Sequence, residues 1–118
     1  MTYLEKEQDL QNMVNSGQLM DAFEKYYHND VVLVEATGHS FEGKDAAREH
    51  EVEFLGKVEE FHGAGIEKIT SNEDAGTTMA EVWMDVTFKG AGRVKLEQVA
   101  VKQWDGDQVV KERFYFNA

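Results

Sequence analysis

The stretch DVVLVEATGHSFEGKDAAREHE, residues 30–51, decides how the rest of the chain is read. It opens on an apolar run, residues 31–36, with the β-branched composition of a strand and a carboxylate, Glu35, near its end. Thr37 and Gly38 turn the chain, and Gly43-Lys44-Asp45 opens a long helix that carries His50. Before this stretch the apolar spacing is helical; after it the pattern alternates as strands do. The stretch therefore joins a helical half to a sheet half, and it places Glu35 and His50 where they can meet.

Working outward, Thr2-Tyr3-Leu4-Glu5 has the form of a capping box, in which the threonine caps a helix and the glutamate reaches back. Leu4, Leu10, Met13 and Val14 follow as its apolar stripe, ended by Asn15-Ser16-Gly17. A second helix is predicted from Leu19, Met20, Phe23, Tyr26 and Tyr27, stopped by Asn29-Asp30. Ala47, His50, Phe54, Val58 and Phe61, spaced 3, 4, 4 and 3 apart, predict a third helix over residues 44–61. Residues 64–72 form a weak strand, because Ile66 and Ile69 do not share parity. Residues 77–88 alternate cleanly, with Val82, Met84, Val86 and Phe88 on one side. Gly90-Ala91-Gly92 and Asp105-Gly106 then turn the chain into strands over 93–104 and 108–116. Helices gathered on one face of an antiparallel meander make an α+β fold, expected as a single domain over residues 1–118.

The net charge is −11, from 12 basic and 23 acidic residues, so phosphate backbones and anionic membranes would be repelled. Neither nucleic acid nor a membrane is an expected partner. Without cysteine, disulfide and thiolate chemistry are excluded. MTYLEKEQD, residues 1–9, has acidic residues where a signal peptide needs a basic and then apolar run, and a cytoplasmic protein is the expectation. His28, His39, His50 and His62 show no ligand spacing, so no metal and no cofactor is expected. No glycine-rich phosphate loop precedes a helix.

Three pieces, NSG at 15–17, NDVVLVEATG with GKDAARE at 29–49, and QVAVKQWDGDQVVKERFYFN at 98–117, resemble the nuclear transport factor 2-like superfamily, SnoaL-like proteins in particular. The superfamily includes ketosteroid isomerase, polyketide cyclases and limonene epoxide hydrolase. The resemblance implies a curved, mostly antiparallel sheet wrapped into a cone and covered by three helices from the N-terminal half. It also implies a pocket carboxylate at Glu35, a large inward residue at His50, and an inward series Val110, Glu112, Phe114 and Phe116. The tyrosine and protonated aspartic acid that stabilise the oxyanion in ketosteroid isomerase fall near Leu10 and on Ala100 here. Steroid isomerisation by that route is therefore not implied.

The expected catalytic set is Glu35, His50 and Glu112, in a pocket lined by Tyr27, Phe54, Val82, Met84, Gln98, Ala100, Phe114 and Phe116. An inward Glu112 needs a partner, since burying an unpaired charge is costly. The alternatives are a solvent-facing Glu35, a hydrogen-bonded core His50, and a Glu112 paired with Lys102 or Arg113 at the sheet edge. Trp83, Val99, Val101 and Tyr115 fall on the opposite parity and mark an outer apolar face, expected to make a homodimer. Two functional readings remain: a cofactor-independent proton-transfer enzyme acting on a small apolar organic molecule, or a binding or assembly module using the same fold.

Overall fold

The structure, a computed structural model, describes residues 1–116. Helices α1 (Tyr3–Asn15) and α2 (Leu19–Tyr26) lead into strands β1 (Tyr27–Val34) and β2 (Ser40–Glu42). Helix α3 (Lys44–Lys57) follows, then β3 (Val58–Asn72), β4 (Thr77–Phe88), β5 (Gly92–Asp105) and β6 (Gln108–Tyr115). The strands form one unclosed sheet in the order β2-β1-β6-β5-β4-β3. All pairings are antiparallel except β1 with β6, so the sheet is mixed. The result is the α+β cone-like fold expected from the sequence.

Thr2 does cap α1, with Glu5 completing the reciprocal pair of bonds. The α1–α2 pair packs on β1, β5 and β6 through Leu10, Phe23, Tyr26, Tyr27, Leu33, Trp104 and Val109, which form the core. These are large residues meeting across elements, and their burial is the main driving force for assembling this end of the molecule.

Several boundaries differ from expectation. The third helix stops at Lys57, so Val58 and Phe61 lie on β3. Helical spacing persisted past the true end because β3 contains three register shifts, at Val58/Glu60, Phe61/Gly63 and Ile66/Lys68. Each inserts an extra residue and resets the parity. The last shift lets Ile66 and Ile69 share one parity, opposite Val82 and Ala80. The same bulges bend the strand and supply curvature. A shift between Gln103 and Trp104 does likewise on β6, so Val109 rather than Val110 is fully buried. Tyr27 begins β1 instead of ending α2, and Asn29-Asp30 lie within that strand.

On the outer face the Trp83 indole lies flat over β3 at Gly65, where a Cβ would come within 2.5 Å of Trp83 Nε1. Gly65→Ala is therefore expected to lift the ring and cost about 1–3 kcal/mol in urea unfolding, with a shifted tryptophan emission spectrum. The same change made in a Trp83→Ala background should cost much less, since the obstructing ring is gone.

Candidate functional site

The interior is built from a polar floor, a rim and an apolar cavity. Alternation along β5 turns Ala100, Lys102 and Trp104 inward, and helical spacing places Glu7 on the same side of α1 as Leu10. Lys102 Nζ lies 3.0 Å from Glu7 Oε2 and 3.1 Å from Glu112 Oε2, and all three side chains are essentially sealed from solvent. Thr78 donates to Glu7 at 2.6 Å and Gln11 does so at 2.9 Å, while Trp104 Nε1 donates to Thr78 at 2.8 Å. The Tyr27 hydroxyl donates to Glu112. Burial works to raise the Glu7 pKa, but the Lys102 charge and the bonds from Thr78 and Gln11 outweigh it and hold the carboxyl below its usual range. Burial opposes the Lys102 charge too, yet its two carboxylates keep the ammonium protonated more firmly than in water. Burial and the neighbouring Glu112 push the Tyr27 phenol well up.

At the rim, Glu35 sits just past the end of β1, where its backbone N–H donates to the His39 carbonyl at 2.8 Å. His50 Nε2 lies 2.9 Å from Glu35 Oε1, with side-chain exposures of 26% and 31%. Phe41 on β2 stacks on the imidazole at 4.3 Å between centroids. The pair is thus held by an aromatic wall on one side and reached by solvent on another. Helix α3 is clamped to α2 through Glu24, which accepts from Arg48 at 2.6 and 2.9 Å and lies 3.5 Å from Lys44.

One residue past His50, the half-buried Glu51 carries a carboxyl group that feels the charges of Glu112, Glu35 and Lys102. Burial, and then Glu112 and Glu35, push it up to about 8, with Lys102 opposing.

An apolar cavity of about 260 Å³ opens between the α1–α2 turn, the end of α3 and the sheet, lined among others by Leu19, Met20, Phe54, Phe61, Met84 and Val86. A wider, open hollow of about 910 Å³ lies against the outer face around Trp83, Glu81, Lys95, Glu97, Val99 and Tyr115.

The expected site residues are therefore distributed unevenly. Glu35 and His50 meet at the rim. Glu112 is inward, 3% exposed, and its partner is Lys102, in the buried floor and not at a sheet edge. Tyr27 belongs to that floor, while Phe54 and Met84 line the apolar cavity. Ala100 is buried beside its cross-strand partner Phe114, which packs against the core. Val82 and Gln98 border the outer hollow. Phe116, expected inside, is 46% exposed and borders the outer hollow as well, because β6 ends at Tyr115 and its alternation no longer applies. Trp83, Val99 and Tyr115 line the outer hollow and Val101 shares their parity.

Sequence reading missed Glu7 and Glu51, and offered Lys102 only as a partner of Glu112 at the sheet edge. Each carried a signal: Glu7 and Leu10 are three apart in a helix, and Lys102 shares parity with Ala100 and Trp104. Glu51 lies four after Ala47 and three before Phe54, as good a helical match as His50. Among the described residues no three His, Asp or Glu side chains converge as metal ligands, and no helix is long and apolar enough to cross a membrane.

Comparison with known proteins returns the SnoaL-like domain family, which matches residues 1–116. No curated protein matches the sequence. A Mesorhizobium loti protein assigned as a SnoaL-like polyketide cyclase is 27% identical, with a TM-score of 0.82 over 98% of this chain and 100% of that one. A cystatin-fold protein of Novosphingobium aromaticivorans is 20% identical, with a TM-score of 0.76 over 98% and 99%. A protein of Catenulispora acidiphila with a ketosteroid isomerase-like fold, solved with trimethylamine, is 14% identical, with a TM-score of 0.74 over 96% and 85%.

Replacing Lys102 by Met leaves two buried carboxylates without their cation, and a loss of about 3–5 kcal/mol in urea unfolding at pH 7 is expected. Adding Glu7→Gln should recover part of it. The deficit should also shrink toward acid pH, where both carboxyls can be neutral. A loss that is the same at every pH would point to packing alone.

Proposed function

Because the chain belongs to the SnoaL-like domain family, we propose that it binds a small, mostly apolar organic molecule inside the cone and acts on it by proton transfer. The observation that carries this reading is the Glu35–His50 pair, held at 2.9 Å and open on one side. One helical turn further along α3, about 6 Å, Phe54 enters the wall of the apolar cavity. A molecule seated there would present its polar end to the pair. Glu35 is the base that takes a proton from carbon, His50 beside it is the acid, and the proton held on Glu35 returns to the product or exchanges with water. Glu112, held by Lys102 and Tyr27, fixes the floor beneath them. The chemistry that fits is isomerisation, cyclisation or hydration, none of which needs an electron carrier. The trimethylamine held by the Catenulispora protein makes small amines reasonable additions to a ligand panel.

A second reading rests on the outer face, where Met79 is 45% and Tyr115 49% exposed beside the Trp83 hollow. That surface suits a homodimer of this chain, with Trp83, Val99, Val101 and Tyr115 at its centre.

Small ketones incubated with the protein in heavy water should exchange the hydrogens next to the carbonyl faster than in buffer, as followed by proton NMR. Glu35→Gln should lower the enzymic part of that exchange by about 10²–10⁴-fold. No exchange with any ketone in the panel would remove the proton-transfer reading and leave a binding module. For the outer face, Trp83→Glu should convert a dimer into a monomer in sedimentation equilibrium; a wild-type chain that sediments as a monomer ends that reading.

A further inference from the structure

Helix α3 brings His50 to the rim but does not settle where its ring points. Ala47 is the one fully buried residue of the helix, and His50, about a turn further on, is only half-buried. The second side-chain torsion of a histidine is broad, so no rotamer preference fixes the plane of the ring. Its Nε2 nevertheless stands 2.9 Å from Glu35 Oε1. A contact from outside the helix must hold it there.

That contact is Phe41. Its ring stacks on the imidazole with centroids 4.3 Å apart and planes 24° from parallel. Phe41 is itself well fixed. It lies in the middle of β2, opposite the fully buried Leu33 of β1, and packs against the core. The His39 ring meets it edge-on at 4.8 Å. The same hairpin carries Glu35, whose N–H donates to the His39 carbonyl and whose carbonyl accepts from the Gly38 N–H, each at 2.8 Å. A bond of 2.8 Å from the Gly43 N–H to the Val31 carbonyl closes the hairpin just before α3 begins. One piece of backbone thus carries both the carboxylate and the surface on which the imidazole rests.

We infer that Phe41 is the positioning residue of the Glu35–His50 pair: its stacked ring keeps the imidazole Nε2 turned toward the carboxylate, so the β1–β2 hairpin, and not α3, sets the reacting geometry. This rests on the reading of that pair as the proton-transfer site. Phe41 does not line the apolar cavity, so its effect reaches a molecule seated there only through His50. A stacked aromatic pair favours one ring orientation by about tenfold at most. Holding reacting groups an ångström out of place costs about a hundredfold. The smaller figure sets the limit: without the stack the imidazole still visits the productive orientation, for about a tenth of the time.

The test has two arms, and the first needs no reaction. The ring protons of His50, identified by their loss in His50→Gln, are followed by proton NMR. In wild type they should lie upfield, under the ring current of Phe41, and show nuclear Overhauser contacts to the Glu35 methylenes. Phe41→Leu, which keeps an apolar side chain against the core, should lose the contacts to Glu35, and Phe41→Tyr should keep them. Phe41→Met takes the place of Phe41→Leu if the latter does not unfold cooperatively in urea. Wild-type ring protons without the upfield shift, or contacts to Glu35 that survive in Phe41→Leu, overturn the inference. In the second arm, hydrogen exchange is followed with a ketone that the wild type turns over. Phe41→Leu should lower kcat about tenfold and leave KM within about twofold, and Phe41→Tyr should restore the rate. A rise in KM at unchanged kcat, or a tyrosine variant as slow as the leucine one, overturns the inference as well. If no ketone exchanges, the proton-transfer reading falls, and the NMR arm alone decides whether Phe41 holds the pair.

Discussion

The sheet and helices are held in register by the ammonium of Lys102. It contacts Glu7 from α1 and Glu112 from β6, and through them reaches Thr78 on β4, Gln11 on α1 and Tyr27 at the start of β1. Apolar burial would let α1 slide or rotate on the sheet at small cost, because one apolar contact resembles another. An ion pair in the interior does not permit that, since any shift strands a charge. Net stability need not come from this network, as two charges must be desolvated for each pairing. Its effect is on uniqueness: only one placement of α1 satisfies all the donors and acceptors.

That arrangement also explains why the interior is electrically biased. Two carboxylates share one cation in the floor, while Glu35 at the rim has a histidine. The chain as a whole is acidic as well, with 23 acidic residues against 12 basic. A molecule entering the cone meets negative potential before it meets any apolar wall, which favours neutral or cationic molecules over anions.

Much of this was legible beforehand, and the reasons for the failures are specific. The helix-helix-strand-helix-meander order could be read because capping, periodicity and turn residues agreed with one another. The border at Lys57 and Val58 could not, since bulges in β3 imitate a helical period for Val58 and Phe61. A bulge depends on what the neighbouring strand does, and no local pattern records it. Val109 replaced Val110 in the core for the same reason. The Glu35–His50 pair was foreseeable because both ends lie in one short stretch. Glu7 and Lys102 are separated by 95 residues, and their contact is set by the packing of α1 on the sheet.

The way α3 is attached bears on how a molecule could enter. Ala47 is its one fully buried residue, while Val52 and Leu55 are exposed. Its other ties are polar or aromatic: Arg48 and Lys44 to Glu24, His50 to Glu35 and Phe41, and Phe54 edge-on to Phe88. Arg48 holds Glu24 down at about 2, so the clamp at the start of the helix persists across ordinary pH. The far end, around Phe54, borders the apolar cavity and is tied where the chain runs on into β3, with the Lys89 N–H donating to the Lys57 carbonyl at 2.9 Å. Both ends of α3 are therefore fixed, and the way to Phe54 lies past the α1–α2 turn, whose Gly17, Leu19 and Met20 line the same cavity.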